Sequence, residues 1–313
     1  MRRVFQKRRR LLGVALSGIP WAAGSLLVSL PSMAGSQVQV AVKVPQRVVT
    51  LGGSVTEIVY ALGLEHVLVA DDASSLYPDA ARRLPKVGYY RAVPLEGVLS
   101  MSPDLVLASA NAGPPATLQR LSALGVRVER VPDEPAIESL YARIRTIAAL
   151  FNEQARGEAL VQAIIQALEQ AVRIPGADAQ AGADALTRGQ EGAGPVRAVV
   201  LLNRTGTYQA AGRDTAAHVV LGLAGLVNAL DTWKGYKPLS LESLAALAPD
   251  VIVLTSASSD ALGGVRVFRD LPAVQLTPAG RQGRVVVLDD LLILGLGPRV
   301  AQAVKALRQQ VFV

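Results

Sequence analysis

One stretch of the sequence occurs twice. Pro94-Leu-Glu96-Gly-Val-Leu-Ser-Met-Ser-Pro103-Asp104-Leu-Val-Leu is matched by Ser240-Leu-Glu242-Ser-Leu-Ala-Ala-Leu-Ala-Pro249-Asp250-Val-Ile-Val, with Glu, Pro and Asp at a constant offset of 146 residues. Each copy reads as a short helix, a Pro-Asp turn and an unbroken apolar strand of the kind buried in a parallel sheet. A unit of this kind repeated at domain-scale distance predicts two similar halves, each able to bury its own core.

The flanking sequence alternates in the same way. Val48 to Leu51, Val67 to Ala70, Leu105 to Ala108 and Val126 to Val131 read as strands. Between them lie a helix from Glu57 stopped by Gly63 and another over Leu118 to Leu124 stopped by Gly125. The second half repeats the scheme, with strands at Val196 to Leu202, Val251 to Leu254 and Val285 to Leu288. Its helices cover Thr215 to Leu223 and Pro298 to Val311. Strands alternating with helices predict two α/β lobes with largely parallel sheets.

Between Pro135 and Pro175 the chain has no proline and one glycine, Gly157, with apolar residues from Leu140 to Leu168 recurring near helical spacing. The pattern predicts one long spine helix over 137–174, roughly 50 Å at 1.5 Å per residue, joining an N-terminal lobe (35–136) to a C-terminal lobe (196–313). Residues 175–195, rich in Gly and Ala, read as a low-complexity surface loop.

Residues 1–34 have the layout of a cleaved signal peptide. Arg2, Arg3, Lys7, Arg8, Arg9 and Arg10 precede an apolar stretch broken by Gly18, Pro20 and Gly24, and Ser32-Met-Ala34 supplies small residues for cleavage. The chain has 32 basic and 25 acidic residues, for a formal charge of +7; six of the basic ones and none of the acidic ones lie in this leader. The remainder is therefore nearly neutral, and the high pI is no sign of nucleic-acid binding. With no cysteine at all, disulfides, thiol catalysis and a lipid-modified N-terminal cysteine are excluded. The expected product is a periplasmic monomer.

The residues offer no catalytic set. His66 and His218 are the only histidines. Neither Gly-x-Ser-x-Gly, His-Glu-x-x-His nor a phosphate-cradling loop occurs. A hydrolase relying on carboxylates alone stays open as an alternative. An exported pair of similar α/β lobes reads better as a binding protein with its ligand between the lobes, outside the strand ends.

Arg47-Val-Val-Thr-Leu-Gly-Gly-Ser-Val-Thr-Glu57-Ile-Val-Tyr-Ala-Leu-Gly63 resembles the opening of the substrate-binding proteins of iron-siderophore, cobalamin and haem ABC importers, class III periplasmic binding proteins. Ser74-Ser-Leu-Tyr-Pro78, Leu84-Pro-Lys-Val-Gly-Tyr89-Tyr-Arg91 and Leu105-Val-Leu-Ala-Ser-Ala-Asn-Ala-Gly-Pro-Pro115 resemble the haem-binding branch. The resemblance implies haem as transported ligand, Tyr89 as axial ligand of its iron and Arg91 as the partner of that tyrosine. Tyr90 stands where the family commonly has methionine and is the second candidate. Spacing alone would leave both tyrosines as ordinary aromatic strand or loop residues.

A tyrosinate is a hard donor suited to ferric haem. Its ordinary pKa near 10 calls for the iron and a guanidinium to favour the anion. If 89–91 were a strand, both side chains would share a face. Asn111 and Gly113, past a strand end, and Tyr208, Arg213, Tyr236 and Lys237 from the second lobe are candidate walls, with Arg213 or Lys237 placed to pair a propionate. Glu96 and Glu242, equivalent in the repeat, are implied to dock arginines of a permease dimer in the inner membrane, driven by a cytoplasmic ATPase. A ferric-siderophore or cobalamin carrier of the same fold is the alternative cargo reading, and a haem-modifying enzyme the alternative to a carrier.

Overall fold

The computed structural model describes residues 44–173, 194–203 and 206–312. The leader and nearly all of the low-complexity stretch lie outside the described residues. No helix among them is long and apolar enough to cross a membrane.

The first lobe is built on β1 (Val48–Leu51), β2 (Leu68–Ala70), β3 (Leu105–Ser109) and β4 (Arg127–Val131). They form a parallel sheet in the order β2-β1-β3-β4. β1 and β3 are buried along their whole length, which is why they read as unbroken apolar runs. Helices α1 (Gly53–Ala61), α2 (Leu95–Leu99) and α3 (Pro115–Ala123) complete the lobe.

The second lobe contains β5 (Arg197–Asn203), β6 (Tyr208–Ala211), β7 (Val227–Asn228), β8 (Tyr236–Pro238), β9 (Val251–Thr255) and β10 (Val285–Leu288). Its order is β10-β9-β5-β6-β8, with β7 beside the start of β5. β5, β9 and β10 are parallel, and β6 and β8 run antiparallel.

The sequence repeat is a structural one. Asp104 accepts hydrogen bonds from the backbone N–H groups of Gln46 and Arg47 at 2.8 and 3.0 Å, and Asp250 accepts one from Arg197 N–H at 2.8 Å. The N–H groups of Asp104 and Asp250 answer to the carbonyls of Arg47 and Arg197. Each Pro-Asp turn thereby fixes where the central strand pair of its sheet begins. The residues before the prolines, Ser102 and Ala248, share a left-handed backbone with φ of 46° and 48°.

The single spine helix expected over 137–174 is instead two helices, α4 (Ile137–Leu150) and α5 (Gln154–Val172). The chain turns at Asn152, whose φ is 60°; asparagine tolerates this left-handed conformation better than most residues. Phe151 is buried at the turn. α4 packs on α1, and α5 packs on the C-terminal helix Val300–Phe312. One apolar cluster therefore runs from Val48 and Ile58 through Ile144 and Ile164 to Val200 and Leu307, tying the lobes together.

Gly157 is the contact point of the two helices, since an added Cβ would lie 2.5 Å from Cβ of Ala148. In an isolated straight helix Gly157→Ala would stabilise by about 1 kcal/mol. Here it is expected to destabilise by about 1–3 kcal/mol through overpacking. Chemical denaturation of the variant reads the sign directly.

In the second lobe, α6 (Ala216–Leu223) and α7 (Leu241–Leu247) precede β9, and α8 (Ser256–Ala261) follows it. Three short helices, α9 (Val265–Arg269), α10 (Pro272–Gln275) and α11 (Pro278–Arg281), lead to β10. The chain then closes with α12 (Asp290–Leu294) and α13, the C-terminal helix.

Candidate functional site

A cleft of about 870 Å³ opens between the lobes. Its walls are the segments that follow the parallel strands. β1 leads into Gly52, Gly53 and Ser54; β2 into Ala73 and Ser74; β3 into Asn111; and β4 into Asp133, Glu134 and Pro135. From the opposite lobe, Leu202 at the end of β5, Ala257 after β9 and Asp290 and Leu291 after β10 face them. Strand ends meeting across a crevice are where α/β sheets bind ligands, because loops there vary without disturbing the sheet. The volume falls within the range of small-molecule sites.

Tyr89, Tyr90 and Arg91 line the first-lobe side of the cleft. They form a turn, not the strand expected over 89–91, with Ala92 N–H donating to the Tyr89 carbonyl at 2.8 Å. The turn nonetheless brings the Arg91 guanidinium to the hydroxyls of both tyrosines. The tyrosine rings meet edge to face with centroids 5.0 Å apart, and the guanidinium lies 4.9 Å from the Tyr90 ring centre.

The two tyrosines differ. Tyr89 is 37% exposed. Tyr90 packs into the apolar cluster beneath the turn, and burial pushes its hydroxyl up to about 12 against the pull of Arg91. The turn is held from below by Asp72, a fully buried carboxylate that accepts from Tyr90 N–H at 3.1 Å and Gly52 N–H at 2.9 Å. Ser74 and Ser75 hydroxyls donate to the same carboxylate.

A buried cation underlies the floor. Arg143 on α4 is fully buried, 3.0 Å from an Asp133 oxygen and hydrogen-bonded to the Ser54 hydroxyl. Burial lowers its pKa, and the carboxylates of Asp133 and Glu134 work against that loss. Asp133 also accepts from Ser109 Oγ at 2.5 Å and from the Asn111 side-chain amide at 3.0 Å. Asn111 thus lies in the cleft with its amide committed to the floor.

The remaining expected residues divide. Tyr236 lines the cleft. Gly113 lies behind the tyrosine turn, where its N–H donates to the Tyr90 carbonyl at 2.9 Å. Tyr208 is not in the wall: it packs edge-on against Phe268, ring centres 5.7 Å apart, because β6 turns that face to the second lobe's core. Lys237 lies over the Trp233 ring at 5.7 Å, outside the lining residues. Arg213 is exposed beside the cleft, its backbone pinned to Trp233 and Gly235. Among the described residues, no lysine or arginine of the second lobe is in the lining, and neither Arg213 nor Lys237 forms part of it.

That wall is chiefly apolar, with Leu202, Leu291, Leu294, Gly295 and Leu296. Sequence reasoning reached Tyr236 on this side but missed the leucines, along with Asp133 and Asp290. The signal was present for Asp133, Leu202, Asp290 and Leu291, which lie at or just past strand ends that face the cleft. Glu96 and Glu242 are exposed at the second positions of α2 and α7, away from the cleft. His66 is exposed, and His218 sits on α6 with Nδ1 3.4 Å from the Asn228 amide.

Duplicated lobes with their strand ends facing across one crevice define a two-lobed solute-binding protein. The chain belongs to the periplasmic binding protein family, which it matches over residues 48–292. The solved structure of the periplasmic haem-binding protein BhuT in complex with two haems is 40% identical, with a TM-score of 0.74, covering 85% of this chain and 97% of that one. An uncharacterised ABC transporter substrate-binding lipoprotein of Bacillus subtilis is 26% identical over 86% of this chain and 81% of its own length. A vitamin B12-binding protein of Yersinia pestis is 35% identical over 38% of this chain and 40% of its own length. The chain is thus a binding protein of this family, whose matched relatives and structures are binding proteins and not enzymes.

Proposed function

We propose that the protein carries haem, held in the cleft with Tyr89 as the axial ligand of the iron and Arg91 supporting that tyrosine. The observation that carries the reading is the Tyr89–Arg91 turn. It puts an exposed phenol and a guanidinium in the same cleft as the leucines of the second lobe, an oxygen donor of the kind ferric haem takes together with apolar surface. Tyr90 serves as packing beneath the ligand. The likeness to a haem-binding protein at 40% identity supports the cargo.

In this reading residues 1–34 direct export to the periplasm. Glu96 and Glu242 meet arginines of a permease dimer, one from each lobe, which fixes orientation and speeds encounter. Their equivalent places at the starts of α2 and α7 support this role.

Vitamin B12 is the second reading, favoured by the 35% identity to a protein that binds it. Melting the protein beside ferric haem, cobalamin and a ferric hydroxamate siderophore separates the readings. At one hundred times its Kd a ligand of the folded state adds about 2.7 kcal/mol of stability. Haem is expected to raise the melting temperature, with the other two leaving it unchanged. A rise with cobalamin alone would transfer the cleft to that cargo.

A further inference from the structure

Two residues of the resemblance motifs, Glu57 and Tyr77, do not touch the cleft as lining residues. Both converge on one residue from the far end of the chain. Arg299, just before α13, sends Nε and Nη2 to the two carboxylate oxygens of Glu57 at 3.1 and 3.3 Å, and its backbone N–H donates to the same carboxylate at 3.1 Å. The guanidinium carbon lies 3.4 Å from the centre of the Tyr77 ring. Asp289, at the start of α12, stands 3.5 Å from Arg299 and caps α12 by accepting from Leu292 N–H.

The contact is buried, with side-chain exposures of 13% for Arg299 and 4% for Glu57. It also fits closely. An added Cβ on Gly297 would lie 3.1 Å from the Glu57 carboxylate, and one on Gly53 would lie 2.9 Å from the Leu291 side chain. The segment from Asp289 to Arg299 thus holds the cleft's leucine wall at one end and a first-lobe carboxylate at the other.

We propose that Arg299 is a positioning residue that sets the separation of the two cleft walls. Its planar fork takes both oxygens of Glu57 while its face rests on Tyr77, and this combination needs a guanidinium. The fork pins the far end of the leucine wall to α1, whose first residues line the opposite side of the cleft. The apolar cluster through α4 and α5 joins the lobes from behind, and Arg299 joins them beside the ligand. The effect on cargo rests on the haem reading above; the effect on wall separation does not.

Two single cysteines, Leu124→Cys in the first lobe and Leu276→Cys in the second, are 55% and 66% exposed positions in a chain without native cysteine. Spin labels there report the inter-lobe distance by pulsed electron resonance. One narrow distribution is expected in the parent, and a broadened or displaced one in Arg299→Met. In the same variant haem dissociation is expected to quicken about tenfold, within the usual range of coupling between sites, while the absorption spectrum of bound haem keeps its parent form because Tyr89 is untouched. If Arg299→Met fails to fold, Arg299→Lys keeps the charge and loses the fork, and the same broadening is expected. An unchanged distance distribution in a folded variant would overturn the proposal. No haem binding by the parent would remove the cargo reading and leave the distance result to decide this one.

Discussion

Tyr89→Phe is expected to weaken ferric-haem binding by one to two orders of magnitude or more. The substitution removes one oxygen and keeps the ring, so the fold and the apolar part of the cleft remain. The expected loss starts from the cost of removing even a supporting residue at metal sites, about 10–100-fold. Tyr90 also borders the cleft, but its ring packs against the apolar cluster under the turn and is less free than Tyr89 to meet a ligand. Equilibrium titration of both variants checks this: Tyr89→Phe loses affinity, and Tyr90→Phe stays near the parent.

Arg143→Met should show the largest loss of stability. The guanidinium is fully buried on α4, beside Asp133 and Ser54, two residues of the cleft floor. Removing one partner of such a pair strands the other, at a cost near 3 kcal/mol, the lower end of the usual range because Asp133 keeps 19% of its side chain exposed. For a chain of this size the melting temperature should fall by roughly 5 °C. The double variant Arg143→Met with Asp133→Asn should recover part of the loss, since a neutral pair leaves no stranded charge. Equal melting of parent and single variant would mean that the buried charge carries no net weight.

Much of the fold was legible because its cause is local. Unbroken runs such as Leu105 to Ala108 and Val251 to Leu254 identify buried parallel strands, and the Pro-Asp repeat identifies the duplication. The break at Asn152 was not legible. Apolar spacing continues across it, and a left-handed asparagine leaves no periodic mark. Arg143 was masked in a similar way: it shares the apolar face of Leu140, Ile144 and Ile147, where charge is read as an exception to be ignored.

The site was legible only in part. The tyrosine turn could be found by resemblance, but its shape could not, and the strand argument for pairing Tyr89 with Arg91 reached the right neighbours by the wrong geometry. Most of the second-lobe wall was missed because polar and aromatic residues were sought there, whereas apart from Tyr236 the end of β5 and the α12 segment supply leucines. Glu57 and Arg299 are 242 residues apart, and no spacing rule connects them. Such pairs emerge only once both lobes have folded against each other.

Absorption spectroscopy of the ferric-haem-loaded protein tests the central claim most directly. A high-spin ferric spectrum with tyrosinate-to-iron charge transfer is predicted for the parent and for Tyr90→Phe, and its loss for Tyr89→Phe. A parent that takes up no haem, or a Tyr89→Phe protein that keeps the tyrosinate spectrum, would contradict it.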